Sequence, residues 1–358
     1  MTHTPLLLAL FLAPLAGFSQ PAGDDRGLSL AGWGIDEKDL DAFARQAAEA
    51  GFDELITWNT DPAALAGFVA ACARHRIGVY SCIAPMSGLA GLWRKRYPDR
   101  PVPWQVMTGD EEAALKFVTA GENQYLIGYQ FGGEPRLTHE VLTTRIICPG
   151  DANARELLES QIQAIAAVPG IRGLAFDGFG YQNYRRCHCE RCEGLLADYR
   201  EAHPDMPGQQ AEVVFFRDML VETLNELARY ARAQKPDLRT CVHIWPVFAP
   251  EPLYGNRLDV DLCGQTAAWY TLWPVERIAA YSRAISADAT EFHPRQQGVG
   301  MLGYYDRPGR FPEKDAARVN LEIETMVQNG CRSIQVCGSI DAVRNAEIAA
   351  VFRKWFGD

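Results

Sequence analysis

Two groups of residues have the types and spacing to do chemistry. Cys187-His188-Cys189-Glu190-Arg191-Cys192 is a Cys-x-Cys-x-x-Cys cluster, and Asp177 lies ten residues before it. Three thiolates so close in sequence are too dense for ordinary core packing; they suit a tetrahedral metal or a compact disulfide knot. Asp177 ends the apolar run 171–176 and opens Asp177-Gly178-Phe179-Gly180, while Asp306 sits in Gly303-Tyr304-Tyr305-Asp306-Arg307. Two carboxylates projecting into one aromatic cleft are what glycosidic-bond hydrolysis needs: one donates a proton to the leaving oxygen, the other attacks or activates water. The plainer role for Asp306 is a loop-organising salt bridge with Arg307 or Arg310.

A sugar site also needs flat apolar faces and hydrogen-bonding side chains. The ends of strand-like runs supply Trp58, Asn59, His243, Trp245, Gln265, Trp269 and Tyr305 as candidate substrate-binding residues. Asp36, Asp61 and Asp341 stand where helix N-caps belong, and capping is the simpler reading of each. Other reaction classes find less support. There is no His-x-His at the first strand, no Gly-x-Ser-x-Gly elbow and no P-loop, and only seven histidines in all.

These residues need a scaffold that brings strand ends together. Eight strand-like runs, 28–33, 54–58, 77–84, 171–176, 239–246, 260–269, 299–305 and 333–338, alternate with helical patterns. Their β-branched and aromatic content, without strict alternation, predicts strands buried on both faces. Asp61-Pro62 before Leu65, Phe68, Val69 and Cys72 marks one helix start, and Gly51 after Leu40, Phe43 and Ala47 marks a helix end. Asp151 opens a helix, and Asp341 is expected to cap the last one, which carries Ile348, Val351, Phe352 and Trp355. Eight βα units predict an α/β fold, a (β/α)₈ TIM barrel, in a single domain over 21–358. An open doubly wound sheet is the alternative, but no Gly-rich dinucleotide turn follows the first strand. The interval 85–150, between strand 3 and its helix, is about 65 residues long, far beyond an ordinary βα loop. It is expected to lie as an insertion over the face where barrels bind ligands.

Composition bounds the rest. The 358 residues carry a net charge of −10 with no basic block beyond Arg94-Lys95-Arg96, which argues against a nucleic-acid partner. Residues 1–20 read as a secretory signal, too short to span a bilayer comfortably, and no later segment qualifies as transmembrane. The expectation is export to the periplasm or beyond. Six of the ten cysteines (Cys72, Cys82, Cys241, Cys263, Cys331 and Cys337) lie in or beside apolar runs and read as small buried hydrophobes.

The stretch Arg145-Ile146-Ile147-Cys148-Pro149-Gly150-Asp151, a helix, Phe176-Asp177-Gly178 and then the thiol cluster resembles the layout of family-42 β-galactosidases. Those enzymes carry a Cys-Pro before the third helix and a Cys-x-Cys-x-x-Cys after the fourth strand, and the four thiolates can bind one structural zinc. The resemblance covers roughly residues 145–200 and implies Cys148, Cys187, Cys189 and Cys192 as zinc ligands. Disulfides, which export favours, are the alternative, though a Cys187–Cys189 bridge would be strained. The chain departs from that family where it has Asn-Glu, with Glu as the acid: here the pair is Asp177-Gly178. Phe-Asp-Gly is closer to the hypothetical glycosyl-hydrolase-like barrels and to the Trp-Phe-Asp-Gly of α-fucosidases, in which the Asp is the nucleophile. The resemblance therefore implies a barrel, a thiol site and a sugar-processing role, with the role of Asp177 as acid or nucleophile open; the expected activity is that of a glycoside hydrolase acting on an oligo- or polysaccharide. A non-catalytic carbohydrate-binding barrel that lost its acid is the alternative.

Overall fold

The computed structural model describes residues 27–36, 39–85, 88–119, 145–178, 180–183, 185–244, 257–270, 272–292, 296–306 and 313–357. The segment 1–20 expected to be a secretory signal, much of the expected insertion, Trp245, Arg307 and Arg310 lie outside these residues. Eight strands run β1 (Ser29–Ile35), β2 (Glu54–Thr57), β3 (Gly78–Ile83), β4 (Gly173–Phe176), β5 (Arg239–Ile244), β6 (Leu262–Ala268), β7 (Gln297–Gly303) and β8 (Ser333–Cys337). Each pairs in parallel with the next, and β8 closes on β1, so the sheet is a closed barrel. All eight expected runs hold a strand. Such strands must be apolar on both faces, one packing the bore and the other meeting helices, and β4 and β8 are buried at every position.

The helices are α1 (Leu40–Glu49), α2 (Pro62–Ala73), α3 (Ala90–Arg96), α4 (Gly109–Thr119), α5 (Ala152–Ala166), α6 (Glu190–Ala202), α7 (Gly208–Gln234), α8 (Val275–Phe292), α9 (Ala316–Gln328), α10 (Ser339–Arg344) and α11 (Ala346–Phe356). The long β3–β4 connection holds α3, α4 and α5; between β5 and β6 the described residues hold no helix. Asp61 caps α2 by accepting the Ala64 N–H at 2.9 Å, and Asp151 caps α5 through the Ala154 N–H at 3.0 Å. Two expected caps move. Asp39, not Asp36, caps α1. Gly338, at φ 78°, starts the separate short α10, so Asp341 falls in its first turn and Asn345 caps α11.

Side chains alternate along each strand between bore and helix layer. The N-terminal end of the bore is closed by charge: Glu54 Oε1 accepts bonds from the Tyr80 hydroxyl (3.2 Å), Arg239 Nη1 (3.0 Å) and Arg172 Nε (3.2 Å). Gly173 makes room for the Tyr80 ring, since a Cβ there would sit 2.3 Å from it and 2.5 Å from the Arg239 carbonyl oxygen. At the C-terminal end two strands slip in register, β1 between Trp33 and Ile35 against β2, and β6 between Thr266 and Ala268 against β7. Such slips bend a strand and re-aim its side chains. Among the described residues no helix is long and apolar enough to cross a membrane.

Candidate active site and metal centre

Asp177 leaves the C-terminal end of β4 with its backbone N–H bonded to the Ile83 carbonyl at 3.0 Å, so it is still held to β3. The next residue, Gly178, turns to φ 63° and donates its N–H to Asp177 Oδ1 at 2.8 Å. The same oxygen is 3.0 Å from Nδ1 of His243 on β5. A carboxylate only accepts, so this bond places the imidazole proton on Nδ1. The pair is buried, Asp177 at 9% and His243 at 3% exposure. Two indoles frame it: Trp33 of β1 meets the imidazole edge-to-face with centroids 5.6 Å apart, and Trp269, just past β6, lies tilted at 5.8 Å. The aromatic row continues outward from Trp269 to Tyr270 (4.3 Å) and to Tyr305, which stacks on Tyr270 at 4.5 Å.

Four thiols of the barrel strands are buried, Cys82, Cys241, Cys263 and Cys337. Burial first, and the charge of Asp177 second, push the Cys82 and Cys337 thiols well above the ordinary range. They stay neutral and serve as small apolar fillers. All six cysteines read as buried hydrophobes are buried, and none of them is in a disulfide.

The structure brings Asp177, His243, Trp269 and Tyr305 into one continuous cluster. The remaining described candidates, Trp58, Asn59, Gln265 and Asp306, are held by other neighbours. Trp58 stands 42% exposed past the end of β2, its indole nitrogen over the Cα of Gly34. Asn59 organises the turn into α2: Oδ1 accepts the Asp61 N–H at 3.0 Å and the backbone carbonyl accepts the Ser81 hydroxyl at 2.8 Å. Gln265 follows Gly264, whose missing side chain would meet Met301 Sδ and Gln335 Oε1 in the bore. By alternation, Gln265 faces outward. Asp306 is exposed, its N–H donated to Asp341 Oδ2 at 3.3 Å. It lines a cavity of about 170 Å³ with Tyr304, Tyr305, Lys314 and Asn345 among its walls.

Lys314 and Trp33 were not expected. The buried Lys314 ammonium donates to the Trp269 carbonyl, to the Gly303 carbonyl at 3.0 Å and to Glu322 of α9 at 2.8 Å. It ties the ends of β6 and β7 together beneath the aromatic row. Burial draws its pKa down, opposed by the facing Glu322 carboxylate. A lysine before a helix and a tryptophan within a strand carry no sequence signal for these positions; barrel register alone selects them.

The four cysteines implied as ligands do converge. The sulfurs of Cys148, Cys187, Cys189 and Cys192 lie within 4.8 Å of one another, with Cys148–Cys192 at 3.4 Å and Cys148–Cys189 at 3.8 Å. None is at the ~2.0 Å of a disulfide, and all four thiols are free, which departs from the disulfide alternative. A tetrahedron with metal–sulfur bonds of about 2.3 Å has edges of about 3.8 Å, so the spacing fits one metal ion held by four thiolates. Cys187 Sγ also accepts the N–H groups of Val106 and Cys189, each at 3.5 Å. Hydrogen bonds from Cys148 and Cys192 hold the Cys187 thiol far below the ordinary range, while the same bonds hold the Cys148 and Cys192 thiols above it, so without a metal one thiolate is shared among three sulfurs.

Around the sulfurs, a hydrogen-bond network joins the β3–β4 connection to the loop after Asp177. Gln105 Nε2 donates to Asn183 Oδ1 (3.0 Å) and the Arg186 carbonyl (2.8 Å), and Gln105 Oε1 accepts the Gln182 N–H at 2.6 Å. Asn183 donates to Glu111 at 2.9 Å, and His188 donates its N–H to the Val106 carbonyl at 2.9 Å.

No family model matches the chain, and no curated protein is similar to it. Solved structures are. The β-galactosidase from Rahnella sp. R3 superposes with a TM-score of 0.60 at 14% identity, over 93% of this chain and 56% of that one. The α-L-fucosidase isoenzyme 2 from Paenibacillus thiaminolyticus gives 0.57 at 12% identity, over 91% and 49%. The PgaB (BpsB) glycoside hydrolase domain from Bordetella bronchiseptica gives 0.57 at 11% identity, over 91% of this chain and 98% of the domain. The chain thus spans little more than half of the β-galactosidase and about half of the fucosidase. At these identities the likeness shows a shared fold: this chain is a (β/α)₈ barrel of the kind seen in glycoside hydrolases.

Proposed function

We propose that the protein is an exported glycoside hydrolase whose principal catalytic carboxylate is Asp177. The observation that carries the reading is the buried Asp177–His243 pair at the C-terminal mouth of the barrel, framed by Trp33 and Trp269. Barrel enzymes place their chemistry at that face, and a carboxylate beside flat apolar rings suits a pyranose bound over it. Glycoside hydrolases among the superposing structures support a carbohydrate substrate. His243 and the Gly178 N–H both bond Oδ1, which orients the carboxylate toward the mouth of the barrel. Asp306 is the proposed second carboxylate, at the far end of the aromatic row and open to solvent where a leaving group or water can reach it. Of the other acids, Asp261 is engaged at the opposite end of the barrel, accepting the Thr240 N–H at 2.7 Å, and Glu134 and Glu251 lie outside the described residues.

Zinc is the metal proposed for Cys148, Cys187, Cys189 and Cys192. Four thiolates fill its coordination, so it supplies rigidity and no reactive water. The protein side of that site joins the β3–β4 connection to the loop that begins at Asp177.

One observation favours a second reading, a binding barrel without turnover. At the position of the acid in family-42 β-galactosidases stands Gly178, in a left-handed conformation that L side chains avoid, so backbone and sequence both exclude an acid there. Sugar release from a broad panel of glycans and aryl glycosides decides between the two. Wild type is expected to release sugar. Asp177→Asn is expected to lose roughly a thousandfold or more with unchanged thermal unfolding, and Asp306→Asn to fall as well. Full activity in Asp177→Asn removes this residue from the mechanism; tight sugar binding without release moves the binding reading ahead.

A further inference from the structure

The Trp33 indole N–H is a buried donor, in a residue only 4% exposed, with no acceptor among the described residues. Buried polar groups in native proteins are nearly always paired, and an exception calls for an explanation. Its neighbour is His243, whose imidazole the Trp33 ring meets edge-to-face with planes at 66°, and His243 in turn bonds Asp177. β1 brings Trp33, β4 brings Asp177 and β5 brings His243 to one point at the barrel mouth.

The backbone around Trp33 is specified closely. Gly34 takes φ 84° at the slip in register between Trp33 and Ile35. Gly32 has no room for a side chain, since a Cβ would lie 2.8 Å from Leu55 Cδ2 and 3.0 Å from Ser339 Oγ. The Ser339 hydroxyl in turn donates to the Trp33 carbonyl at 3.4 Å. Glycines on both sides, a slip in the strand and a hydroxyl from α10 therefore set where this indole sits. The second slip, in β6, comes just before Trp269, the other indole against His243. Bulges beside active sites serve to re-aim a side chain.

We infer that the Trp33 indole N–H is a specificity-determining donor, reading one hydroxyl oxygen of the pyranose that sits over Asp177. An indole donates and never accepts, so the position tells a sugar with an oxygen there from one without. The inference rests on the carbohydrate reading above and names how that substrate is selected.

Two probes test it. The first is the p-nitrophenyl glycoside that wild type turns over best, together with its monodeoxy analogues. Wild type is expected to lose roughly ten- to a hundredfold in kcat/KM on one analogue. Trp33→Phe is expected to show the same loss on the parent and no further loss on that analogue. The second probe is the ¹⁵N-indole spectrum of the protein, with its eight tryptophans, titrated with the monosaccharides of the panel. The Trp33 signal is the one missing from Trp33→Phe or from Trp33→Tyr, and either folded variant suffices to assign it. A downfield shift of that signal on sugar binding supports the inference even where no sugar is released. Turnover with Trp33→Phe matching wild type on parent and analogues alike overturns the inference and leaves the hydrolase standing. No turnover, with the Trp33 signal unmoved by every sugar, overturns both.

Discussion

Asp177 and His243 work as one unit because they bond each other, through Oδ1 and Nδ1, in a place water scarcely reaches. Removing the imidazole takes away one of the two bonds that Gly178 and His243 make to Oδ1 and loosens the aim of the carboxylate. The cost in stability is about 1–3 kcal/mol. The cost in rate is larger if aim matters, since a misplacement of about 1 Å can cost a hundredfold. His243→Ala is therefore expected to lower kcat strongly with little change in KM. Asn puts an N–H donor near the position of Nδ1, so His243→Asn should recover part of kcat. Equal loss in both variants would show that the imidazole does more than position Asp177.

At the scale of elements, the thiol cluster is where the chain spends its unusual residues. Cys148 precedes α5, Cys187 and Cys189 precede α6, and Cys192 lies in the first turn of α6. Four thiolates from two segments close a link between them that Gln105, Asn183 and Glu111 extend. Elemental analysis is expected to find about one zinc per chain. Removing it with a strong chelator should lower the unfolding temperature and open the segment around Val106 to protease before the barrel itself unfolds. Quantitative disulfide formation among the four cysteines would refute the metal. The spacing Cys-x-Cys-x-x-Cys was legible in the sequence. That the fourth sulfur comes from Cys148 followed from a resemblance, and the convergence of all four is a property of the folded chain.

At the scale of the whole molecule, charge closes the barrel at its N-terminal end. Glu54 gathers Tyr80, Arg172 and Arg239 at the closed end, and Gly173 admits the Tyr80 ring. Gly173→Ala would drive a methyl group against the Arg239 carbonyl, which belongs to the neighbouring strand and cannot step aside. We expect a loss of about 3 kcal/mol, toward the upper end for overpacking, read as a lower midpoint in denaturant. Sugar release per folded molecule should be retained, because the site lies at the opposite end. An unchanged midpoint would show that the bore yields more easily than its packing implies.

The eight strands were legible because strands buried on both faces are written as short apolar runs between helix caps such as Asp61 and Asp151. Asp177 was legible for a related reason: a charged residue at the end of such a run has few plain uses. Neighbours across the barrel were not legible. Trp33 and His243 are separated by more than half the chain, and only closure of β8 on β1 fixes the register that brings their rings together. The same register turns Gln265 outward, because a period of two residues decides the face and local sequence does not count from the barrel axis. Asn59 went to a turn because a short amide bonds its own backbone more readily than a distant ligand. Local composition determined which segments become strands and helices, through burial and capping that act over a few residues. Tertiary structure alone decided which side chains share the site, since closing a barrel joins residues that sequence keeps far apart.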